Sequence, residues 1–272
     1  MKAHMRLGWM WWGFALLLLS GGWMAASAAD NPQDPVVQLE QRARSGDVDA
    51  QDELGTAYAL GKGVAKDYVA ARKWLLLAAA QGRADAQTVL GYIYRDGLGI
   101  DRDLVEAAKW FKAAAEQGLA SAQTNLAMLY KNGQGVAQSD SEALKWFRKA
   151  ADQGDVYAQT NLGLIYEAGQ GVTQDYKAAA AWYRKAAERQ HEIAQRKLAY
   201  FYETGQGVPQ DYLKAYTWYA IASVWHDSEG QALAADDPRI RVGAHLTPEQ
   251  IHQANQTASE WWNKHFAEAA GK

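Results

Sequence analysis

The stretch LGYIYRDGLGIDRDLVEAAKWFKAAAEQG, residues 90–118, decides the fold because its skeleton returns along the chain. At first sight its central glycines resemble part of a phosphate-binding loop. Shifting the stretch in steps of 36 residues, however, reproduces the pair Gly97 and Gly99 in four other places. A nucleotide site needs one such loop, whereas a repeat array needs the same turn in every unit. We therefore interpret these glycines as architecture.

Five copies of the repeat begin with the dipeptide Ala-Gln, at 50, 86, 122, 158 and 194, and the spacing never slips. In the first copy, Ala50, Leu54 and Tyr58 stand at i, i+4 and i+8. This spacing predicts an amphipathic helix whose apolar stripe faces a neighbour. Gly61 and Gly63 are predicted to end that helix, because glycine adopts the left-handed conformation without a steric cost.

A second helix is predicted in every unit, and it starts at a residue whose side-chain oxygen can accept bonds from free amides. These N-caps are Asp67, Asp103, Ser139, Asp175 and Asp211. Glu106 and Glu142 stand three residues after their caps and predict two capping boxes. Ala71, Trp74 and Ala78 form the apolar face, and glycines at 82, 118 and 154 end the helix. We expect each tryptophan to pack against the next unit, which makes the core continuous.

The segments around the array have different predicted roles. Residues 30–49 form a linker and a degenerate half-repeat that caps the first unit. The five repeats cover 50–225, and an irregular connector follows at 226–246. Thr247 then provides an N-cap for a final helix over 247–272, which covers the exposed face of the last repeat.

The N-terminus has the layout of a secretory signal peptide. Basic residues precede an apolar run at 7–19, and small residues follow it, so we expect removal of 1–29. An uncleaved anchor is the alternative, since 7–24 reaches the lower edge of a membrane-spanning length. With zero cysteines the exported protein has no disulfide and depends on packing alone. A soluble periplasmic protein of a bacterium fits best, with no membrane insertion after cleavage.

Charge and composition exclude some partners. Removing the signal deletes Lys2 and Arg6 and no acidic residue, which moves the formal charge from -3 to -5. Nucleic acid is therefore not expected as a partner, because binding it requires clustered basic side chains. No motif indicates a cofactor or a metal. We expect a monomer that binds a protein or peptide.

The 50–82 segment resembles the Sel1-like repeat, a relative of the tetratricopeptide repeat. It follows the pattern A-Q-x-x-L-G-x-x-Y-x-x-G-x-G-V-x-x-D-Y-x-x-A-x-x-W-x-x-x-A-A-x-x-G. The resemblance covers 50–225 and implies an all-α, right-handed α-solenoid with a period of 36 residues and helical caps at both ends. It also implies an adaptor or scaffold. Some cysteine-rich secreted members are linked to β-lactamase activity, but their disulfide framework is absent here.

Partner binding is predicted on the first helices, which line the concave surface in related superhelices. Side chains that differ between copies are free of core packing and are the candidates. They are Thr88, Tyr92, Thr124, Asn125, Met128, Thr160, Asn161, Arg196, Lys197 and Tyr200. The carboxamides of Asn125 and Asn161 can hold a peptide backbone, since they donate and accept. Arg196 and Lys197 can pair with an acidic side chain or a terminal carboxylate.

Catalysis is not predicted. His226, Asp227 and Ser228 are adjacent in sequence, but adjacency does not orient a base against a nucleophile. His252 and His265 share the last helix about 140° apart, which does not suit one metal ion. Three hypotheses remain: an exported non-catalytic scaffold, a β-lactamase-like or other cell-wall hydrolase, and a membrane-anchored organiser of an envelope complex.

Overall fold

The computed structural model describes residues 34–223, 233 and 236–270, and every regular element in them is an α-helix. The predicted signal at 1–29 and part of the connector (226–232, 234 and 235) lie outside the described residues. In chain order the helices are α1 (Pro35–Arg44), α2 (Val48–Leu60), α3 (Tyr68–Ala80), α4 (Ala84–Asp96), α5 (Leu104–Glu116), α6 (Ala120–Asn132), α7 (Asp140–Asp152), α8 (Val156–Ala168), α9 (Tyr176–Ala187), α10 (Glu192–Thr204), α11 (Tyr212–Ser223), α12 (Pro238–Gly243) and α13 (Pro248–Ala270). Helices α2 to α11 form five hairpins, each packed on the next, which confirms the predicted α-solenoid.

The turn inside each unit is fixed by glycine and by a tyrosine carbonyl. Gly97 and Gly99 have φ angles of 69° and 68°, in the left-handed region, as predicted. The Asp103 carboxylate caps α5 by accepting bonds of 2.9 and 3.0 Å from two amides of the first turn. The backbone amide of Asp103 donates to the Tyr94 carbonyl at 2.9 Å. The same bond recurs in all five units, at the carbonyls of Tyr58, Tyr94, Tyr130, Tyr166 and Tyr202.

In each of the two predicted capping boxes only one of the two hydrogen bonds forms, the one from the glutamate amide to the N-cap oxygen. A capping box needs the glutamate side chain to accept a bond from the N-cap amide. That amide already donates to the tyrosine carbonyl, so Glu106 instead pairs with Lys109. Glu142 likewise accepts bonds from Lys145 and, at 3.1 Å, from the indole of Trp146.

The central layer of the core lies one position after the predicted tryptophans. Its members are at most 7% exposed and are Leu75, Phe111, Phe147, Tyr183 and Tyr219. Three of them pack on a glycine of the first helix in the same unit. A Cβ atom on Gly91 would stand 2.5 Å from the Phe111 ring, and Gly55 and Gly163 face Leu75 and Tyr183 in the same way. Glycine at this column therefore allows the two helices of a unit to approach closely.

Three of the five repeat tryptophans lie against helices that precede them. Trp146 is 5% exposed, while Trp74, Trp110, Trp182 and Trp218 are half-buried. Trp74 packs on the cluster of Ala43, Ala50 and Leu54, and Trp110 and Trp182 lie on buried clusters that also begin N-terminal to them. These three indoles do not follow the expectation that each tryptophan packs against the next unit, whereas Trp218 does contact the following element, with its ring centre 6.1 Å from that of Trp261 in α13.

Successive units are connected by joints, which we define as residues 81–83, 117–119, 153–155 and 189–191. Across the first joint, the side-chain amide of Gln87 in α4 donates to the Ala79 carbonyl of α3 at 3.2 Å. Its own carbonyl oxygen accepts a bond of 2.8 Å from the side chain of Gln117. The glutamine of the Ala-Gln dipeptide, which lies in the first helix of a unit, thus binds both the second helix of the preceding unit and the joint that follows its own unit.

Both ends of the array are covered by helices. At the N-terminal end, α1 packs on α2, and the Gln51 amide donates to the Ala43 carbonyl at 3.0 Å. At the C-terminal end, Thr247 and Gln250 exchange bonds of 2.9 and 3.3 Å at the start of α13, a complete capping box. The Trp262 indole of α13 is buried and donates to the Ile221 carbonyl at 2.8 Å. Among the described helices, none has the length and apolar character needed to cross a membrane.

Candidate peptide-binding groove

The threonine candidates are buried and do not line an open surface. Thr88, Thr124 and Thr160 are between 3% and 7% exposed. Thr88 and Thr160 donate to the carbonyl one turn earlier in their own helices, at 2.9 and 2.8 Å. Their burial leaves these three predicted binding residues little surface to offer a partner.

The asparagine candidates already join neighbouring units. The Asn125 carbonyl oxygen accepts a bond of 2.7 Å from Arg95, and its amide donates to the Tyr92 hydroxyl at 3.0 Å. Asn161 accepts a bond of 3.4 Å from Lys131. Both amides also donate to a carbonyl of their own helix, at 2.8 and 2.9 Å. A ligand backbone would have to replace these bonds, so the role predicted for the carboxamides is weakened.

Tyr92 and Met128 are half-buried. The Tyr92 ring meets Phe111 edge-on at 5.3 Å, and the Arg95 guanidinium lies 4.9 Å from its centre. Met128 packs on the buried cluster of the central units. Both side chains therefore pack partly on the core and offer only part of their surface to a partner.

The remaining three candidates are brought together at the C-terminal end of the array. Arg196, Lys197 and Tyr200 of α10 line a cavity of about 370 Å³ with Ile193 and Tyr219. An adjoining cavity of about 530 Å³ shares Lys197 and Tyr200 and is bounded on the other side by α6, α8 and the start of α9. We call these two cavities the C-terminal groove. Its lining includes Lys131, Leu164, Glu167, Tyr176, Ile193, Arg196, Lys197, Tyr200 and Tyr219.

Apolar side chains stand open to solvent at this groove. Ile193 is 57% exposed and Tyr200 is 40% exposed, and Tyr157 on the neighbouring helix is 63% exposed. The sequence contains a signal for them that our prediction missed. The column that holds Tyr157 and Ile193 carries Asp49, Asp85 and Ser121 in the first three units, so polar residues give way to apolar ones only in the last two.

Lys197 and Arg196, two cations of the groove, differ in how closely they pair with carboxylates of the protein. Lys197 binds both carboxylate oxygens of Glu167, at 2.9 and 3.0 Å, and Glu167 also accepts a bond from Tyr183. Burial and that carboxylate raise the pKa of Tyr183, which stays a neutral donor. Arg196 lies 3.5 Å from Glu192 with a side chain 52% exposed, so its guanidinium remains open to an incoming anion.

His191 connects α8 to the start of α10. Its Nδ1 lies 2.9 Å from the Thr160 hydroxyl, and its ring meets Tyr157 edge-on at 5.1 Å. Burial lowers the pKa of His191, although Asp155 and Glu192 act in the opposite direction. The imidazole is therefore neutral at pH 7 and acts as a hydrogen-bonding spacer between α8 and α10.

The structure adds little to the catalytic candidates. His226, Asp227 and Ser228 lie outside the described residues. His265 stacks on Trp261 with ring centres 3.9 Å apart, and His252 is exposed. Within the described ranges, no group of three His, Asp or Glu side chains has the geometry to hold a metal ion.

Comparison with known proteins confirms the predicted resemblance. The Sel1 repeat family profile matches residues 48–82, 84–119, 120–155, 156–191 and 193–223. A search of curated proteins finds no match.

Two solved structures are similar over most of this chain. A Sel1 repeat protein from Oxalobacter formigenes is 30% identical with a TM-score of 0.64, over 83% of this chain and 96% of its own. The protein c5321 from uropathogenic Escherichia coli, described as a protective antigen with this repeat fold, is 32% identical with a TM-score of 0.56, over 86% of this chain. The match spans only 57% of the c5321 chain, so this chain corresponds to part of that protein.

Proposed function

Since the chain belongs to the Sel1 repeat family, we propose that it is an exported, non-catalytic scaffold that binds a protein partner through a peptide segment in the C-terminal groove. The observation that supports this proposal is the meeting of exposed apolar side chains and an open cation on one helix, α10. Ile193 and Tyr200 offer apolar area, and Arg196 beside them offers a guanidinium.

The chemistry of the groove suggests what such a segment carries. Covering exposed apolar surface contributes about 25 cal/mol per Å² removed from water. A guanidinium binds a carboxylate through two parallel bonds, which fixes orientation as well as affinity. The preferred segment therefore has an acidic side chain or a C-terminal carboxylate next to an apolar residue. Lys197 contributes less, because Glu167 already holds it.

The test uses a photoreactive residue in place of Tyr200 in the full chain, produced in its native cell. Captured chains are identified, and synthetic segments from them are titrated against the purified protein. Arg196→Ala and Tyr200→Ala are each expected to weaken binding about tenfold, since one charge-assisted bond or one buried aromatic contact is worth roughly 1.5–3 kcal/mol.

Arg44→Ala is the matched control for the arginine variant. Arg44 pairs with Glu40 one turn earlier, as Arg196 pairs with Glu192, and it is exposed at the opposite end of the array. It should leave binding unchanged. Full binding by the Arg196→Ala, Tyr200→Ala double variant would place the partner elsewhere.

Export is the second part of the proposal and is tested separately. The signal-like layout of 1–29 supports delivery to the periplasm. Osmotic shock should release the protein, and its N-terminus should begin at Ala29 or Asp30. Retention in membranes after a high-salt wash would instead support the uncleaved anchor.

A further inference from the structure

A second cavity lies at the N-terminal end of the array, between α1, α2 and the start of α4. It has a volume of about 770 Å³ and shares no residue with the C-terminal groove. One wall is apolar and contains Val36, Leu39 and Leu60, of which Leu60 is 68% exposed. The polar part of the wall carries the carboxylates of Asp49, Asp52, Glu53 and Asp85.

Asp52 in this wall is a buried carboxylate with half of its bonding unmet. The residue is 7% exposed, and its Oδ2 accepts a bond of 3.0 Å from Arg83. Its Oδ1 is buried and accepts no hydrogen bond from any group that the structure describes. Leaving a buried acceptor unpaired is destabilising, and more so when the group is charged. Such an atom indicates a missing donor.

Comparison with later units shows that Asp52 departs from the structural solution used there. Thr88 and Thr160 occupy the same helical position and satisfy their hydroxyls by donating to a carbonyl of their own helix. An ionised carboxylate has no proton to donate in this way. Burial raises the pKa of the Asp52 carboxyl, and the bond from Arg83 opposes that effect. The Thr124 hydroxyl at the same position is also buried without a partner among the described groups, but it is neutral, whereas an unpaired oxygen of a buried carboxylate costs more.

Cations of the wall do not balance its carboxylates. Arg83 is shared among Asp49 at 2.7 Å, Asp52 at 3.0 Å and Asp85 at 3.7 Å. Arg42, the other arginine of the wall, is bound to Asp47 at 2.7 Å, outside the cavity lining. Lys62 is the third cation of the lining, so three cations stand against four lining carboxylates, and one of the three, Arg42, is shared with Asp47 outside the cavity.

We propose that this cavity binds a lysine or arginine side chain of a partner, with its cationic head at Asp52 and Glu53 and its alkyl stem on the apolar wall. The incoming cation neutralises the surplus carboxylate, and a rotation of the Asp52 side chain, whose Oδ1 is closed to solvent, lets that atom accept the bond it lacks. Val36, Leu39 and Leu60 cover the methylene groups, as apolar surfaces do for long basic side chains. The site is independent of the C-terminal groove, so either proposal can fail alone.

The test titrates the full chain with n-butylguanidinium and, as a neutral control of the same shape, with n-butylurea, following backbone amide shifts of α2 by NMR. Saturable shifts with the cation and at least tenfold weaker shifts with the urea are expected. Equal binding of the two probes, or no binding of the cation, would overturn the proposal.

Three variants locate the site. Glu53→Gln and Asp52→Asn should each weaken binding of n-butylguanidinium about tenfold, whereas Glu106→Gln, at a carboxylate of α5 that pairs with Lys109, should leave it unchanged. Asp52→Thr introduces the residue of the later units, so it should fold normally and lose binding. Since Glu53 is exposed, its variant keeps the test decisive even where a change at Asp52 disturbs folding. Binding that survives in both Asp52→Thr and Glu53→Gln would contradict the assignment.

Discussion

The first three joints of the array and the fourth solve the same structural problem with different residues. Gln81, Gln117 and Gln153 each donate to the glutamine of the preceding Ala-Gln dipeptide, at 2.9, 2.8 and 2.8 Å, and a glycine with positive φ follows each of them. The fourth joint has Arg189 and Gln190 at these positions. As a result, the Gln159 carbonyl oxygen is buried without a partner among the described groups.

The fourth joint also strains the backbone. Gln190 has a φ of 67°, the only positive value among the described residues other than glycine. A side chain in this region costs roughly 1 kcal/mol relative to glycine. The joint connects α9 to α10, the helix that carries Arg196 and Tyr200. The difference teaches that the joint before α10, where the sequence departs from the repeat, combines an unpaired buried oxygen with a strained residue that the first three joints avoid.

The largest expected difference comes from removing the dipeptide glutamine at a complete joint and at the fourth joint. Gln123→Ala breaks bonds to the Ala115 carbonyl and from Gln153, and should lower the free energy of unfolding by about 2–3 kcal/mol. Gln159→Ala breaks only the bond to the Ala151 carbonyl and removes an unpaired oxygen, so it should cost about 1 kcal/mol less. Urea unfolding measures both. Equal losses would show that the glutamine pair contributes nothing.

The complete joints show how far the sequence alone determines the fold. Residues with a purely local role were predicted correctly: Gly97 must adopt positive φ, and Asp103 must cap α5, whatever lies nearby. The capping boxes failed because the Tyr94 carbonyl, nine residues before the cap, competes for the same amide. That bond depends on how the two helices of a unit meet, which a list of spacings does not give.

The candidate site was harder to predict for a related reason. Thr124 and Asn125 are adjacent columns that both vary between units, yet one is buried and the other bridges two helices. Variation between copies does not separate exposed positions from positions that contact the next unit. The useful signal was a change of chemical type along a column, from Ser121 to Tyr157 and Ile193, which marks the open apolar surface of the groove.

Exchanging residues between Gly118 of the second joint and Gln190 of the fourth measures the conformational strain at this position. Gly118→Gln copies the fourth joint into the second and should cost about 1 kcal/mol. A Cβ atom at Gly118 meets nothing within 4 Å, so this cost is purely conformational. Gln190→Gly should stabilise the protein by a similar amount, seen as a higher urea midpoint with an unchanged slope. If Gln190→Gly is neutral, the strain at the fourth joint is relieved in some other way.

Arg189→Gln should give a smaller gain. The new carboxamide can donate to the Gln159 oxygen as Gln153 donates to Gln123, and satisfying that acceptor is worth about 0.5–1.5 kcal/mol. The matched control is Arg189→Ala, which removes the arginine and supplies no donor. A gain with glutamine and none with alanine identifies the missing bond. Similar effects of both would assign the change to the loss of arginine.

The smallest expected effect is a pH dependence confined to the fourth joint. The unfolded chain has a histidine pKa near 6.5, whereas burial lowers the pKa of His191 in the folded protein. Below about pH 6.5 the unfolded chain therefore binds the proton first, and stability falls until the pH passes the lower folded value. Asp155 and Glu192 oppose this shift.

The variant His191→Leu tests this pH dependence, since the equivalent position of the second joint is Leu119. It should reduce the loss of unfolding free energy between pH 7.5 and 5.5. Leu119→His should create such a loss at a joint that lacks it. If the wild type and His191→Leu lose stability in parallel on acidification, the imidazole is not the group that distinguishes the fourth joint.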